Sequence, residues 1–119
     1  MALVIAGFET TATTSTYLLW CIAKHESERK KLEADVERDG IHSKYLDQFI
    51  KEVMRMFPAL PNFVARRPSC DTRVSGWTIK RDTTVFMSVN TVHYDASVWH
   101  EPHKFSPDRF ADGLVQQQR

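Results

Sequence analysis

Glu52 and Arg55 form a pair whose types and spacing could do chemistry. They stand three positions apart in YLDQFIKEVMRMFP, Tyr45 to Pro58. Residues at i and i+3 are neighbours on a helix surface, so a carboxylate and a guanidinium can meet there. The same spacing occurs at Glu26 and Arg29, inside a highly charged stretch. By pattern alone both read as ordinary exposed ion pairs that add little stability. A second stretch, Gly7-Phe8-Glu9-Thr10-Thr11, sets an acid and two hydroxyls beside a glycine. Threonine is a poor helix former and glycine costs about 1 kcal/mol against alanine. A helical sequence that accepts both usually gains packing or function from the irregularity. Cys21 and Cys70 are too far apart, and too few, to suggest a disulfide framework or a zinc site.

These residues need elements to position them. Leu46, Phe49, Ile50, Val53, Met54 and Phe57 recur at steps of three and four, one apolar face of an amphipathic helix. Pro58 ends it sharply, because proline lacks an N–H and pushes the preceding residue out of helical geometry. Leu3 to about Ala23 reads as one helix, apolar or small on two faces, and is expected to be buried on most sides. His25 to Arg38 is a short charged helix with Leu32 and Val36 as a thin apolar stripe, Ser27 as its cap, and Asp39-Gly40 as its end. After Pro58 the pattern turns to strands. Phe63 to Ala65 is one. Thr72-Arg73-Val74 and Trp77-Thr78-Ile79 form a hairpin about Ser75-Gly76. Lys80 to Thr83 is a turn, and Thr84 to Val89 is a β-branched and aromatic strand. His93 to Phe110 is loop with short helix, and the tail LVQQQR has no pattern. The expected fold class is α+β: mainly helical, with a small antiparallel sheet, in a single incomplete domain spanning 1–119.

Composition excludes several classes. Sixteen Lys plus Arg against fifteen Asp plus Glu leave a net charge of +1, and no basic stripe suggests a nucleic-acid partner. The apolar N-terminal run is interrupted by Glu9 and five threonines, so neither a transmembrane span nor a signal peptide is read there. The chain opens in helix-like sequence without a cap, as a piece of a longer protein would.

Four segments stand in order: Ala6-Gly7-Phe8-Glu9-Thr10-Thr11, Lys51-Glu52-Val53-Met54-Arg55, Val74 to Ile79, and Trp99-His100-Glu101-Pro102 through Pro107-Asp108-Arg109-Phe110. In this order they resemble a cytochrome P450 of the eukaryotic type, from the middle of its long I helix to the meander before its haem-binding loop. The resemblance implies a haem cofactor. Ala6, Gly7 and Thr10 would lie along the haem's distal face, with glycine letting the helix approach and open locally. Thr10 would hydrogen-bond dioxygen or its water, and Glu9 would feed protons towards it. Glu52 and Arg55 match the family's E-x-x-R pair, and Arg109 matches the arginine of its P-E-R-F motif; the resemblance makes the three a buried structural triad. Arg66 matches the arginine that binds a haem propionate, a carboxylate suited to a guanidinium. Pro61 to Ala65 resembles a substrate-recognition stretch.

The sequence departs from the family at several places. Asp108 replaces the usual glutamate. Lys80-Arg81-Asp82-Thr83 replaces Pro-Lys-Gly-Thr, so a different turn is expected. The link from Asp39 to Lys44 is shorter than the family's and threatens the triad geometry. Haem iron in the family is held by a cysteine thiolate; the nine residues after Phe110 contain no cysteine, so no metal ligand is assigned and native haem binding by this chain alone is not expected. Three readings stay open: part of a haem-thiolate monooxygenase that inserts one atom of O₂ into an organic substrate, a truncated product with no activity, or part of a P450-like peroxide isomerase. The first implies a small organic substrate, a reductase partner, and an endoplasmic reticulum membrane location through an anchor outside this sequence.

Overall fold

The computed structural model describes residues 2–111. Three helices, α1 (Ala2–Lys24), α2 (Glu26–Asp39) and α3 (Lys44–Met56), lead into four short strands, β1 (Phe63–Arg66), β2 (Thr72–Val74), β3 (Trp77–Ile79) and β4 (Val85–Ser88). A five-residue helix α4 (Val89–His93) and a 3₁₀ turn at Pro107–Phe110 follow. This is the expected α+β class. The tail LVQQQR lies outside the described residues.

α3 is the centre. Ser43 caps it by accepting from Leu46 N at 3.0 Å, which satisfies one of the first-turn donors that lack a helical partner. Phe57, at φ −130°, has already left the helix before Pro58. The buried side of α3 is rotated from the apolar face read in the sequence. Tyr45, Phe49, Glu52, Val53 and Arg55 are buried, while Met54 is exposed. The core gathers Phe49 and Val53 with Cys21 of α1, Leu32 of α2 and Phe105 of the meander. Phe105 meets Phe49 edge-on at 5.1 Å and stacks on His25 at 4.4 Å.

α1 corrects the expectation of a helix buried on most sides. Its last turns pack, with Cys21 fully buried and Leu18 and Ile22 partly so. Val4 and Phe8 are each 73% exposed, because α2 and α3 reach only the C-terminal end of a 23-residue rod. The threonines are accommodated by bonding back to the preceding turn: Thr10 to Ala6 O, Thr11 to Gly7 O, Thr14 to Thr10 O and Thr16 to Ala12 O, at 2.8–2.9 Å. α1 therefore runs unbroken across Gly7 and Thr10, where a local opening was expected.

α2 begins at Glu26, with His25 in the cap position and no side-chain cap; Ser27 instead donates to Glu28. Leu32 is buried, but Val36 is exposed. Glu26 and Arg29 do not pair with each other. Glu26 meets Lys30 and Arg29 meets Glu33, both exposed i,i+4 pairs. The short link to α3 is a 3₁₀ turn over Gly40–His42. Asp35 stitches it, accepting from Ser43 Oγ at 2.5 Å and Tyr45 N at 3.0 Å, with Arg38 close beside it.

The strands form two antiparallel pairs. β1 pairs with β4, Phe63 opposite Ser88 and Arg66 opposite Val85; β2 pairs with β3, Val74 opposite Trp77. Ser75 and Gly76 both have positive φ, 48° and 86°, the geometry of a tight hairpin turn whose twist matches its strands. Asp82, at the position where the family pattern has glycine, takes φ 62°, a conformation aspartate tolerates better than most residues. Val89 opens α4 instead of closing the strand, with Ser88 as its cap.

Candidate functional site

Glu52, Arg55 and Arg109 converge. Glu52 Oε2 accepts from Arg55 Nε at 2.8 Å, and Oε1 accepts from Arg55 Nη2 at 3.0 Å, Arg109 Nε at 3.0 Å and Ser106 N at 2.9 Å. The Glu52 and Arg55 side chains are 0% and 1% exposed, and that of Arg109 is 8%. The pair read as an exposed ion pair by pattern is thus sealed, and the short link before α3 does not prevent its closure.

One carboxylate facing two guanidiniums leaves an excess positive charge, which backbone oxygens and aromatic rings absorb. Arg55 Nη1 donates to His93 O at 2.7 Å, and its guanidinium carbon lies 5.6 Å from the Tyr94 ring and 5.3 Å from the Trp99 ring. Arg109 donates to His100 O, Glu101 O and Lys104 O at 2.8–3.3 Å. Both guanidiniums are thus bonded to the carboxylate on one side and to main-chain carbonyls on the other, the condition under which buried charge is tolerable. Asp108, in the place of the family's usual glutamate, reaches α2 by accepting from Lys31 Nζ at 2.8 Å.

Beside this lock lies a groove of about 720 Å³. Thr10, Thr11 and Thr14 of α1 form one wall; Met54, His93 and Trp99 belong to the other. The threonine hydroxyls have given their hydrogens to α1 carbonyls, so their oxygens remain as acceptors towards the groove. Ala6, Gly7 and Glu9 are exposed and do not line the groove. A Cβ built on Gly7 meets nothing within 4 Å. Arg66 is exposed at the end of β1 and donates to its neighbour's carbonyl, Ala65 O, at 2.9 Å. The structure therefore brings Thr10 to the groove and gathers Glu52, Arg55 and Arg109, but holds Arg66 and Glu9 outside both.

Neither cysteine belongs to the groove. Burial pushes the Cys21 thiol up to about 11, with Glu52 adding to the rise and Lys24 opposing it. Cys70 is exposed in the loop before β2. Among the described residues no three His, Cys, Asp or Glu side chains converge on a common point that could hold a metal ion.

His93, Tyr94, Ser106 and Asp35 are positioning residues that the sequence did not announce. Their roles depend on partners 8 to 54 positions away, which no local period encodes. Ser43 did carry a signal, as a cap residue immediately before a helical pattern.

The family model of cytochrome P450 matches residues 1–118. Among curated proteins the chain is 30% identical to cytochrome P450 81F1 of Arabidopsis thaliana and 32% identical to carnosic acid synthase of Rosmarinus officinalis, each over 95% of this chain and 25% of the relative. It is 29% identical to cytochrome P450 3A41 of Mus musculus, over 91% of this chain and 23% of the relative. A solved zebra fish cytochrome P450 structure with progesterone superposes with a TM-score of 0.81 at 26% identity, covering 92% of this chain and 29% of that one. A mainly helical α+β fold with a sealed Glu-Arg-Arg lock defines the class of protein. The chain belongs to the cytochrome P450 family, and spans about a quarter of the length of the curated relatives it matches. No helix among the described residues is long and apolar enough to cross a membrane.

Proposed function

We propose that this chain is part of one domain of a haem-thiolate monooxygenase, the portion that supplies the proton-handling helix and the lock holding the meander. The observation that carries the reading is the closure of Glu52 on Arg55 and Arg109, the family's motifs meeting at 2.8–3.0 Å from positions far apart in sequence. When bound, a haem would supply the iron-centred oxidising chemistry. Two of the described residues have the chemistry that such a group would call for. Gly7 leaves open space on α1, and Arg66 is an exposed guanidinium available to a carboxylate. They do not supply the thiolate, since Cys21 is sealed in the core and Cys70 lies beyond β1.

The chain's own contribution is proton handling. Thr10 Oγ1 holds its hydrogen on Ala6 O; rotation about the Cβ–Oγ1 bond would free it for an acceptor in the groove. Glu9, exposed on the preceding position, does not face that hydroxyl, so in this reading it would pass protons to it through intervening water. A small organic substrate, a reductase and an endoplasmic reticulum location belong to the same reading.

The test is made in a full-length protein carrying this segment. Thr10→Ala is expected to raise peroxide released per electron consumed, and Thr10→Ser to restore most of the coupling. A ratio unchanged by Thr10→Ala would assign Thr10 to packing alone. A peroxide substrate rearranged without any O₂ uptake would favour the isomerase reading instead.

A further inference from the structure

We propose that His93 and Tyr94 form a second lock on α3, and that His93 is its positioning residue, confined to the tautomer with hydrogen on Nδ1. The last carbonyls of a helix have no partner within it, and Pro58 stops α3 before Ala59 and Leu60 could donate back to Arg55 O and Met56 O. Here two of them are taken from 38 positions away. His93 Nδ1 lies 2.9 Å from Arg55 O, and the Tyr94 hydroxyl donates to Met56 O at 2.6 Å. A carbonyl oxygen only accepts, so Nδ1 must carry the hydrogen. The exchange is reciprocal, because Arg55 Nη1 donates to His93 O. Arg55 is therefore gripped through its guanidinium and its own carbonyl by one residue.

The surroundings hold this grip in register. Trp99 Nε1 donates to Val92 O at 3.0 Å, securing α4 from the meander side, and the Tyr94 ring stacks on His103 at 5.1 Å. The two locks divide the work. Glu52 ties α3 forward to Ser106 and Arg109, while His93 and Tyr94 return the whole β1–β4 excursion to the end of α3. One chemical consequence follows: in its neutral form the His93 ring, which lines the groove, has Nε2 without a hydrogen, an acceptor rather than a donor. The lock stands whether or not the chain serves a haem enzyme, since all its contacts lie within residues 55–103.

The 119-residue chain labelled with ¹⁵N in its imidazoles reads the tautomer directly, by long-range proton–nitrogen correlation at a mildly alkaline pH where imidazole is neutral. His93 is expected to show a protonated Nδ1 and a bare Nε2, unlike the exposed His42 and His100. His93→Asn identifies the signal by removing it, and places an amide donor near the position of Nδ1. A protonated Nε2 on His93, or a signal averaged like those of His42 and His100, overturns the proposal. Urea unfolding supplies the second readout. His93→Leu leaves Arg55 O unpaired and is expected to lower the folding constant about tenfold, with His93→Asn recovering most of that loss. Equal losses in the two variants would mean the ring only fills space.

Discussion

The two halves of the family signature behave oppositely. Around α3 and the meander, four elements contribute to one sealed site, and each charge meets its partners inside the chain. Along the N-terminal half of α1, Gly7, Glu9 and Thr10 stand on an open helix whose apolar neighbours Val4 and Phe8 are exposed. The contrast shows that a structural lock can close within residues 52–109, because its guanidiniums meet one carboxylate and the backbone carbonyls of α4 and of the loop before Pro107. The N-terminal part of α1 instead presents side chains whose described hydrogen bonds run back to the helix itself, as Thr10 does to Ala6 O.

The sharpest way to break this contrast is to remove one acid from each half. Glu52→Ala leaves two buried guanidiniums without their carboxylate and is expected to cost about 3–5 kcal/mol in urea unfolding. Glu9→Ala, at an exposed position, is expected to stay within about 0.5 kcal/mol of the parent. Equal effects would show that the lock does not carry the stability of the α3 region.

Acid titration sharpens the picture at the joint between α2 and α3. The Asp35 carboxyl lies below the usual carboxylate range, because Ser43 Oγ and Tyr45 N donate to it and Arg38 adds attraction, with desolvation opposing. A carboxylate with a depressed folded pKa stabilises the fold fully above its unfolded value of about 3.9, and loses that contribution as pH falls through the depressed value. The advantage of the parent over Asp35→Asn should therefore be constant above about pH 5 and shrink at more acid pH. An advantage independent of pH would remove the charge from the account of this joint.

The smallest effect is expected in the turn before β4. Asp82 sits at positive φ, so Asp82→Gly should raise stability slightly, by about 0.5–1 kcal/mol, in thermal unfolding. A loss would show that the aspartate side chain, not the backbone, shapes the turn.

Much of the fold was legible locally. The i, i+3, i+4 rhythm marked α3, Pro58 marked its end, and Ser75-Gly76 marked the hairpin. The errors came where neighbours decide. Ser27 had the right residue type for a cap but lies one position inside a helix that starts at Glu26. α1 was apolar on two faces, yet periodicity reports what a helix could bury and not what is present to cover it. In the Lys80–Thr83 turn, Asp82 takes a positive φ at the position where the family pattern has glycine, a conformation that aspartate tolerates better than most residues.

Order and spacing of motifs were enough, by themselves, to indicate the family and to nominate Glu52, Arg55 and Arg109. Local pattern alone could not decide that this acid and base would be buried while the identically spaced Glu26 and Arg29 stay in solvent; the expectation of burial came from the family resemblance. That outcome depends on the meander folding across α3, delivering Ser106 N, the carbonyls of His100, Glu101 and Lys104, and the rings of Tyr94 and Trp99. An ion pair is worth little in water and is costly to bury half-paired. Its structural value is therefore set by groups distant in sequence, and only the tertiary structure brings them together.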